Sequence, residues 1–577
     1  MNKVDLLKRR IDVAKGKIKA ELVLKNCKIV NVFTHTITEG DIAIDSGMVV
    51  GIGDYDGEIN KDVDGGFVAP GFIDSHMHLE SAMVTPEQLA SVVVPMGTTT
   101  IITDPHEIAN VCGIEGIRFM MDSTKNLPLN VLFMIPSCVP SSEFETSGAR
   151  IEAEDISRLI DDDRVLGLGE MMDYPGLLDG NHDVIKKIDI ASDKVIDGHS
   201  PEVSGKDLNA YLSVRIKTDH EASYLKEMEE KLSLGMYIAI REGSAARDLE
   251  VLLPAINSHN ERRTTFCTDD KHPADILKEG HINFNLKKAV SLGLDPITAI
   301  RMATINAAEC YNLKDLGAIA PGYAADIVVL EDLEDFKAIQ VYRKGVLVAE
   351  NGEFIYETRK PDTSSVGDTV HIRDITTSDL EIKPGTEKIR VMRMHTGLLS
   401  TEMVIKNVNL DEEGRFSCKD NTGLLKIAVI ERHGKNGNVG LGIVENLNLK
   451  GGAVGLTIAH DTHNLIVAGD NDEDMILVAD RISQMKGGIA VASGGRIQKE
   501  LALPVAGLMS NEPMEYVAKA LDEISNYLYD EMNVPPGTDP LMTLSFIALP
   551  VIPEIKLTDM GLFDVNRMKF VGIGVEE

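Results

Sequence analysis

The sequence has little that would carry it out of a reducing, aqueous compartment. No run approaches the roughly 18 apolar residues of a membrane span. The opening stretch, MNKVDLLKRRIDVAKGKIKAELVL, is charged throughout and has no apolar signal-peptide core. The six cysteines, Cys27, Cys112, Cys138, Cys267, Cys310 and Cys418, are scattered, with no C-x-x-C pair. A reduced cytoplasmic protein fits that usage better than a disulfide framework. Positive charge is scarce: 58 Lys and Arg stand against 91 Asp and Glu, a formal net charge of -33. The basic footprint that nucleic acid or an anionic membrane requires is missing, so neither is expected as a partner. Gly451, Gly452, Gly455, Gly494 and Gly495 form neither G-x-x-x-x-G-K-[ST] nor G-x-G-x-x-G, so no nucleotide loop follows.

What is present is a long, ordinary globular chain. Its 577 residues, 43% of them hydrophobic, suffice for about two to four domains. Leu6, Leu7, Ile11 and Ala14 are spaced as the apolar face of an N-terminal helix packed on the protein. From about residue 21 to 70, alternating residues and Gly/Asp turns indicate a small antiparallel β unit. The rhythm then changes. Eight apolar, β-branched runs recur: FVAPGFIDSHMH, TTTIITDPHE, NVLFMIPSCV, VLGLGEMM, KVIDGHS, VRIKTDHE, GMYIAIREGS and TTFCTDD. Helical patterns such as PEQLASVVVPMG and EASYLKEMEEKLSLG separate them. Near-continuous apolar strands alternating with helices imply a parallel sheet covered on both faces. Eight such units predict an α/β fold, a (β/α)₈ TIM-like barrel.

Barrel active sites sit at the C-terminal ends of the strands. Every run here turns polar at that end. In order, the ends carry His76 and His78; Asp104, His106 and Glu107; Ser137 and Cys138; Glu170; His199; His220; Arg241, Glu242 and Ser244; and Asp269 and Asp270. On a strand, His76 and His78 project to one face, and neutral imidazole is a common ligand of divalent ions. Imidazoles and carboxylates converging on one rim predict a metal site. His76, His78, Glu170, His199, His220 and Asp269 exceed what a single catalytic ion uses, about three protein ligands plus water. They fit two ions sharing a carboxylate. Glu170 is the expected bridge, with His76, His78 and Asp269 on one ion and His199 and His220 on the other. Asp269 is also expected to move the proton of the attacking water. It is preferred over Asp270 because it comes first after the apolar run. Asp104, His106, Glu107, Ser137, Arg241, Glu242, Ser244 and Asp270 remain candidates for substrate binding; Asp104 and Ser137 serve equally well as structural residues.

After the barrel a helical pair leads into GAIAPGYAADIVVLEDLEDFKAIQVYRKGVLVAENGEF, which returns to strands. This segment is expected to rejoin the first β unit as one split β-sandwich domain. PDTSSVGDTV reads as a linker into an additional C-terminal α+β domain. The expected divisions are 1–70, 71–316, 317–365 and 366–577. His460, Asp461 and His463 look like a metal cluster, but with the barrel supplying a full ligand set they are expected to be a polar strand end in a structural or interface region. The many methionines are expected to fill the core.

GFIDSHMH, the glutamate of the fourth run, the single histidines of the fifth and sixth and the aspartate of the eighth resemble the amidohydrolase superfamily. Many relatives bridge their metals with a carboxylated lysine; Glu170 stands in that place here. VAPGFIDSHMHLESAMVTP, TTTIITDPHEIANVCG, DGHSPEVSGKDLNAYL and FCTDDKHPADIL, with the extra C-terminal region, resemble the bacterial and archaeal adenine deaminases. The resemblance implies hydrolytic deamination of adenine to hypoxanthine and ammonia at a two-metal centre of Mn²⁺ or Fe²⁺, with Zn²⁺ the weaker expectation. A purine is then the expected small-molecule partner, and a homo-oligomer, a dimer in the first place, the expected assembly. The residues alone equally suit a cyclic amidase or a dihydroorotase-like hydrolase. A non-catalytic scaffold should have lost ligands, and none is missing.

Overall fold

The computed structural model describes residues 2–395 and 400–575. Eight short parallel strands form the central barrel: β1 (Phe72–Met77), β2 (Thr98–Thr103), β3 (Asn130–Ile135), β4 (Val165–Met171), β5 (Val195–Gly198), β6 (Thr218–Asp219), β7 (Tyr237–Arg241) and β8 (Thr264–Cys267). β1 to β5 pair in chain order, and so do β6 to β8. Two backbone contacts close the ring. Lys217 N donates to Ile196 O at 3.1 Å between β5 and β6, and Asp269 N donates to His76 O at 3.0 Å between the end of β8 and β1. The strands are short and apolar because helices cover one side and strand side chains fill the other, leaving no face for water. Pro86–Val93, Ile114–Ser123, His182–Ile190, Gly205–Ser213 and Leu225–Ser233 lie among those outer helices, each burying one apolar stripe.

The run FVAPGFIDSHMH is divided between two sheets. Phe67–Pro70 pairs antiparallel with Ile327–Leu330, placing Val328 opposite Ala69. That pairing joins the strands before the barrel to those after it in one nine-stranded sheet. Gly71 marks the crossing. A Cβ there would lie 2.2 Å from Thr99 Oγ1, so a side chain would force β1 and β2 apart.

The N-terminal helix spans Lys3–Ala14, but the face it buries differs from the one its apolar spacing predicts. Val13 is fully buried, whereas Leu7 and Ile11 are 48% and 58% exposed. Arg9 makes two hydrogen bonds to the buried Asp45 carboxylate, at 2.7 and 2.9 Å. Satisfying that charge sets the helix rotation and turns Leu7 and Ile11 outward.

The C-terminal region is an eight-stranded sheet with Thr401–Asn407 and Arg496–Ala502 at its edges, and a small three-stranded sheet beyond it. Helix Asp472–Met485 packs Met475, Val478, Ala479 and Ile482 against one face. Asn471 caps it, and Asp472, Glu473 and Asp474 fill its first turn, where the helix dipole favours negative charge. Docking on the barrel is built from backbone and buried polar contacts. Thr85 N donates to Ser510 O at 3.0 Å, Ser510 N to Met83 O at 2.8 Å, and Thr146 N to Asp559 Oδ1 at 2.8 Å. Among the described residues, no helix is long and apolar enough to cross a membrane.

Candidate metal centre

The C-terminal ends of the strands bring His76, His78, Glu170, His199, His220 and Asp269 into one cluster. His76, near the end of β1, and His78, just past it, place their Nε2 atoms 3.3 Å from each other. His78 is oriented from behind: its Nδ1–H donates to Asp104 O at 2.9 Å, which leaves the Nε2 lone pair facing the cluster. Asp269 Oδ1 lies 3.5 Å from His76 Nε2 and 3.2 Å from His78 Nε2. His76 and His220 stack, ring centroids 4.0 Å apart.

Glu170 stands between two groups of imidazoles. Its Oε1 is 3.9 Å from His76, 3.5 Å from His78 and 3.1 Å from His106. Its Oε2 is 2.6 Å from His199 and 3.2 Å from His220. The strand beneath is locked. Glu170 N donates to Asp104 Oδ2 at 2.9 Å, and Ser137 Oγ donates to Glu170 O at 2.5 Å. Gly169 is required beside it, since a Cβ would sit 2.0 Å from Asp104 Oδ2. Tyr211 ties the neighbouring strand end by donating to Met171 O and accepting from His199 N, both at 2.9 Å.

The electrostatics follow from burial and neighbours. Burial opposes the charge of Glu170, but His199, His106 and His220 outweigh it and hold the carboxyl well below the usual range. Burial likewise opposes Asp269, and His76 and His78 hold it low. Burial, then the nearby His220, pushes His76 down to about 3. His220 rises to about 9, because Glu170 and then Asp269 overcome its burial. Burial lifts the Asp104 carboxyl to about 7 against the pull of His106. The two ionised carboxylates and the neutral His76 are in the charge state a divalent ion requires, whereas His78, His199 and His220, raised by their carboxylate neighbours, would have to give up their protons on binding it. Glu170 Oε1 is moreover buried with no hydrogen-bond partner among the described residues. A lone pair left bare inside a protein is costly, and a cation between the imidazoles satisfies it. The donor set fits divalent metal.

The other predicted residues fall into three groups. His106 and Glu107 lie beside the cluster, both buried. Arg241 stands behind Asp269, its Nη1 3.5 Å from Asp269 Oδ2, and also pairs with Glu221 and Asp248. Asp104 and Ser137 support Glu170 from below, as described. Glu242, Ser244 and Asp270 have hydrogen-bond partners outside the cluster. Glu242 accepts from Lys288 Nζ at 2.9 Å, Ser244 donates to Asp275 at 2.5 Å, and Asp270 accepts from Ser81 Oγ. Asp269 lies two residues past the end of β8, with φ of +55°. Its inward direction is therefore set by a left-handed turn that Asp tolerates, not by strand alternation.

Sequence reasoning missed two features. Glu221, next to His220, puts Oε1 3.6 Å from His220 Nε2 and 4.0 Å from His199 Nδ1. Its place directly after a predicted ligand was the available signal. The second is the contact that His460 and His463 make: from the C-terminal region they reach the barrel rim and close on Glu107. Domain packing brings them there, and their own spacing does not name that partner.

The model of the amidohydrolase family matches residues 67–348, and that of the adenine deaminase C-terminal domain matches residues 399–569. The chain is 50% identical over 568 residues to an adenine deaminase of Clostridium acetobutylicum, covering 98% of this chain and 100% of that one. It is 46% identical over 572 residues to an adenine deaminase of Nitratidesulfovibrio vulgaris, covering 99% of both. Among solved structures it is similar to a β-aspartyl dipeptidase of Fervidobacterium islandicum, with a TM-score of 0.44, 14% identity, and coverage of 58% of this chain and 99% of that one. An atrazine chlorohydrolase of Arthrobacter aurescens gives a TM-score of 0.44 at 16% identity, covering 58% and 97%.

Proposed function

The chain belongs to the adenine deaminases of the amidohydrolase family, and from that premise we propose how its residues carry out the reaction. It is a metal-dependent hydrolase that converts adenine to hypoxanthine and ammonia. The family implies divalent metal, and the clustered His, Glu and Asp side chains could hold it. Our reading is two ions per chain, Mn²⁺ or Fe²⁺ before Zn²⁺. One would be held by His76, His78 and Asp269 and the other by His199 and His220, with Glu170 available to both. The observation that carries it is Glu170, whose two oxygens address separate imidazole groups, Oε2 at 2.6 Å from His199 and Oε1 at 3.5 Å from His78.

Divalent ions in such a site lower the pKa of water toward neutrality and stabilise negative charge developing on the substrate. The chain's own residues do the rest. Asp269 accepts a proton from the attacking water and returns it to the departing amino group, which leaves as ammonia. Arg241, 3.5 Å from Asp269 Oδ2, keeps that carboxylate turned into the site. Asp104 and Ser137 hold the Glu170 backbone. Purified protein tests the reading directly. Metal analysis should find about two ions per chain, in line with shared-carboxylate sites. Adenine should yield hypoxanthine and ammonia, and chelation should abolish turnover until Mn²⁺ or Fe²⁺ is restored. Full activity in a metal-free preparation overturns the mechanism. Ring opening of hydantoins or dihydroorotate in place of adenine turnover overturns the substrate.

We further propose that the protein is a cytoplasmic homodimer acting on a small purine, with domains divided at residues 70/71, 316/317 and 365/366. The junction of Phe67–Pro70 with Ile327–Leu330 supports a split β unit around the barrel.

A further inference from the structure

Glu107 opens the helix His106–Cys112 at the barrel rim and belongs to neither metal group. Both its oxygens are engaged by the C-terminal region. His460 Nδ1 is 2.6 Å from Oε1, and His463 Nε2 donates to Oε2. The carriers of these rings are themselves fixed. His460 stacks on Phe546 at 4.4 Å, and the fully buried Arg432 donates from Nε to the His463 carbonyl. On its other side Glu107 Oε1 is 3.4 Å from His106 Nε2, and His106 Nδ1 is 3.1 Å from Glu170 Oε1. An unbroken line of buried groups therefore runs from the C-terminal region to the carboxylate at the centre of the metal site.

A carboxylate and two imidazoles could equally hold a cation, and the tautomer of His463 decides between the two. Its Nδ1 accepts the Ala459 backbone N–H at 3.1 Å. A backbone amide can only donate, so Nδ1 carries no proton, and the proton of the neutral ring is on Nε2, facing Glu107. A ring that binds metal through Nε2 instead donates from Nδ1. His463 is thus a donor to Glu107 and not a ligand. Its burial, ahead of the pull of Glu107, keeps the ring neutral.

We propose that His460 and His463 are positioning residues: they fix Glu107, Glu107 fixes the ring of His106 through Nε2, and His106 thereby presents Nδ1 to the reaction cavity beside Glu170. Nδ1 of His106 is buried with no hydrogen-bond partner among the described residues, as is Glu170 Oε1. The two atoms face each other at 3.1 Å across the same space. The C-terminal region is on this account part of the reaction apparatus and not an appended module. The inference rests on the reading of that cavity as the deamination site.

The test compares His463→Gln, whose amide N–H reaches the Nε2 position, with His463→Leu, which leaves Glu107 short of one donor. Metal content, kcat and KM for adenine, and crystal structures are measured on the full-length metal-loaded enzyme. Both variants should keep the metal count of the wild type. His463→Leu should lower kcat by about 10–100-fold, the usual cost of losing an outer partner at a metal site, with KM little changed. In its structure the His106 ring should turn away from Glu170. His463→Gln should restore both. A metal ion bound at Glu107 in the wild type and lost in His463→Gln overturns the proposal in favour of a cation site. Wild-type kcat with an unmoved His106 in His463→Leu overturns it outright. Should His463→Leu fail to fold, His460→Asn against His460→Phe makes the same comparison at Oε1. If the wild-type protein does not deaminate adenine, the reading of the reaction fails by itself, and the position of His106 in the variant structures still decides the clamp.

Discussion

The Glu170 carboxylate meets the His199 ring at 2.6 Å, Oε2 to Nδ1, while its other oxygen has no hydrogen-bond partner among the described residues. One oxygen is strongly engaged, and the other, 3.1 Å from His106 Nδ1, makes no well-directed hydrogen bond, in a residue 2% exposed. Without a cation that arrangement leaves a buried charge under-satisfied, a state proteins rarely tolerate. It is the expected geometry of a group that divides its oxygens between ions.

Glu170→Gln keeps the shape but removes the charge and one ligating oxygen. If Glu170 is the shared carboxylate proposed above, metal content should fall from about two ions per chain toward one or fewer. Activity should fall by more than the about 100-fold upper cost of losing an outer partner. Elemental analysis beside kcat measurement checks it; two tightly held ions in this variant would show that Glu170 is not shared.

Asp269→Asn retains an oxygen for the metal but cannot take up a proton as a carboxylate does. Metal should be largely kept, with kcat down by about 10²–10⁴-fold, the range for general acid–base groups. Asp270→Asn keeps the acceptor that Ser81 Oγ uses, so its effect should be within about tenfold, given the usual cost of outer partners. The reverse order of the two losses would exchange their roles.

His433 supplies a stability prediction away from the site. Its Nε2–H donates to Thr462 O at 2.8 Å, and burial, reinforced by Arg432, holds its pKa well below the usual 6.5. The folded protein keeps this ring neutral at pH values where the unfolded chain protonates it. The unfolded state therefore binds more protons below pH 6.5, and stability falls as the pH drops. The loss is at most about 1.4 kcal/mol per pH unit for one such group. His433→Gln keeps a donor and should flatten the decline in Tm between about pH 6.5 and 5. An unchanged slope would mean that other groups govern acid unfolding.

The N-terminal helix predicts a contrast between neighbours. Ile11 is 58% exposed and Val13 fully buried. Ile11→Ser should change stability by no more than about 0.5 kcal/mol, whereas Val13→Ala should cost about 0.5–3 kcal/mol. Denaturant midpoints for both variants measure it. A larger loss at Ile11 would reveal a contact made only in an assembly.

Much of the centre was legible in the sequence because of one property of parallel barrels. Strands that run the same way deliver their C-terminal ends to a single rim. His76, His78, Glu170, His199, His220 and Asp269 follow apolar runs, so naming the end of each run named the cluster. Period-2 alternation put His76 and His78 on one face with no knowledge of the fold. Tertiary structure decided the rest. Glu242 and Ser244 follow their strand as closely as Arg241 does, but Lys288 and Asp275, brought up by helices, engage them. Asp269 points inward because of a left-handed turn beyond its strand. The helix near the N-terminus turned to satisfy Asp45, against its own apolar spacing. His460 and His463 reach Glu107 across 353 and 356 residues of chain. Spacing and propensity act locally, so they foretell which residues share a strand end or a helix face. Which distant charges must be neutralised together is settled only when folding removes the water between them.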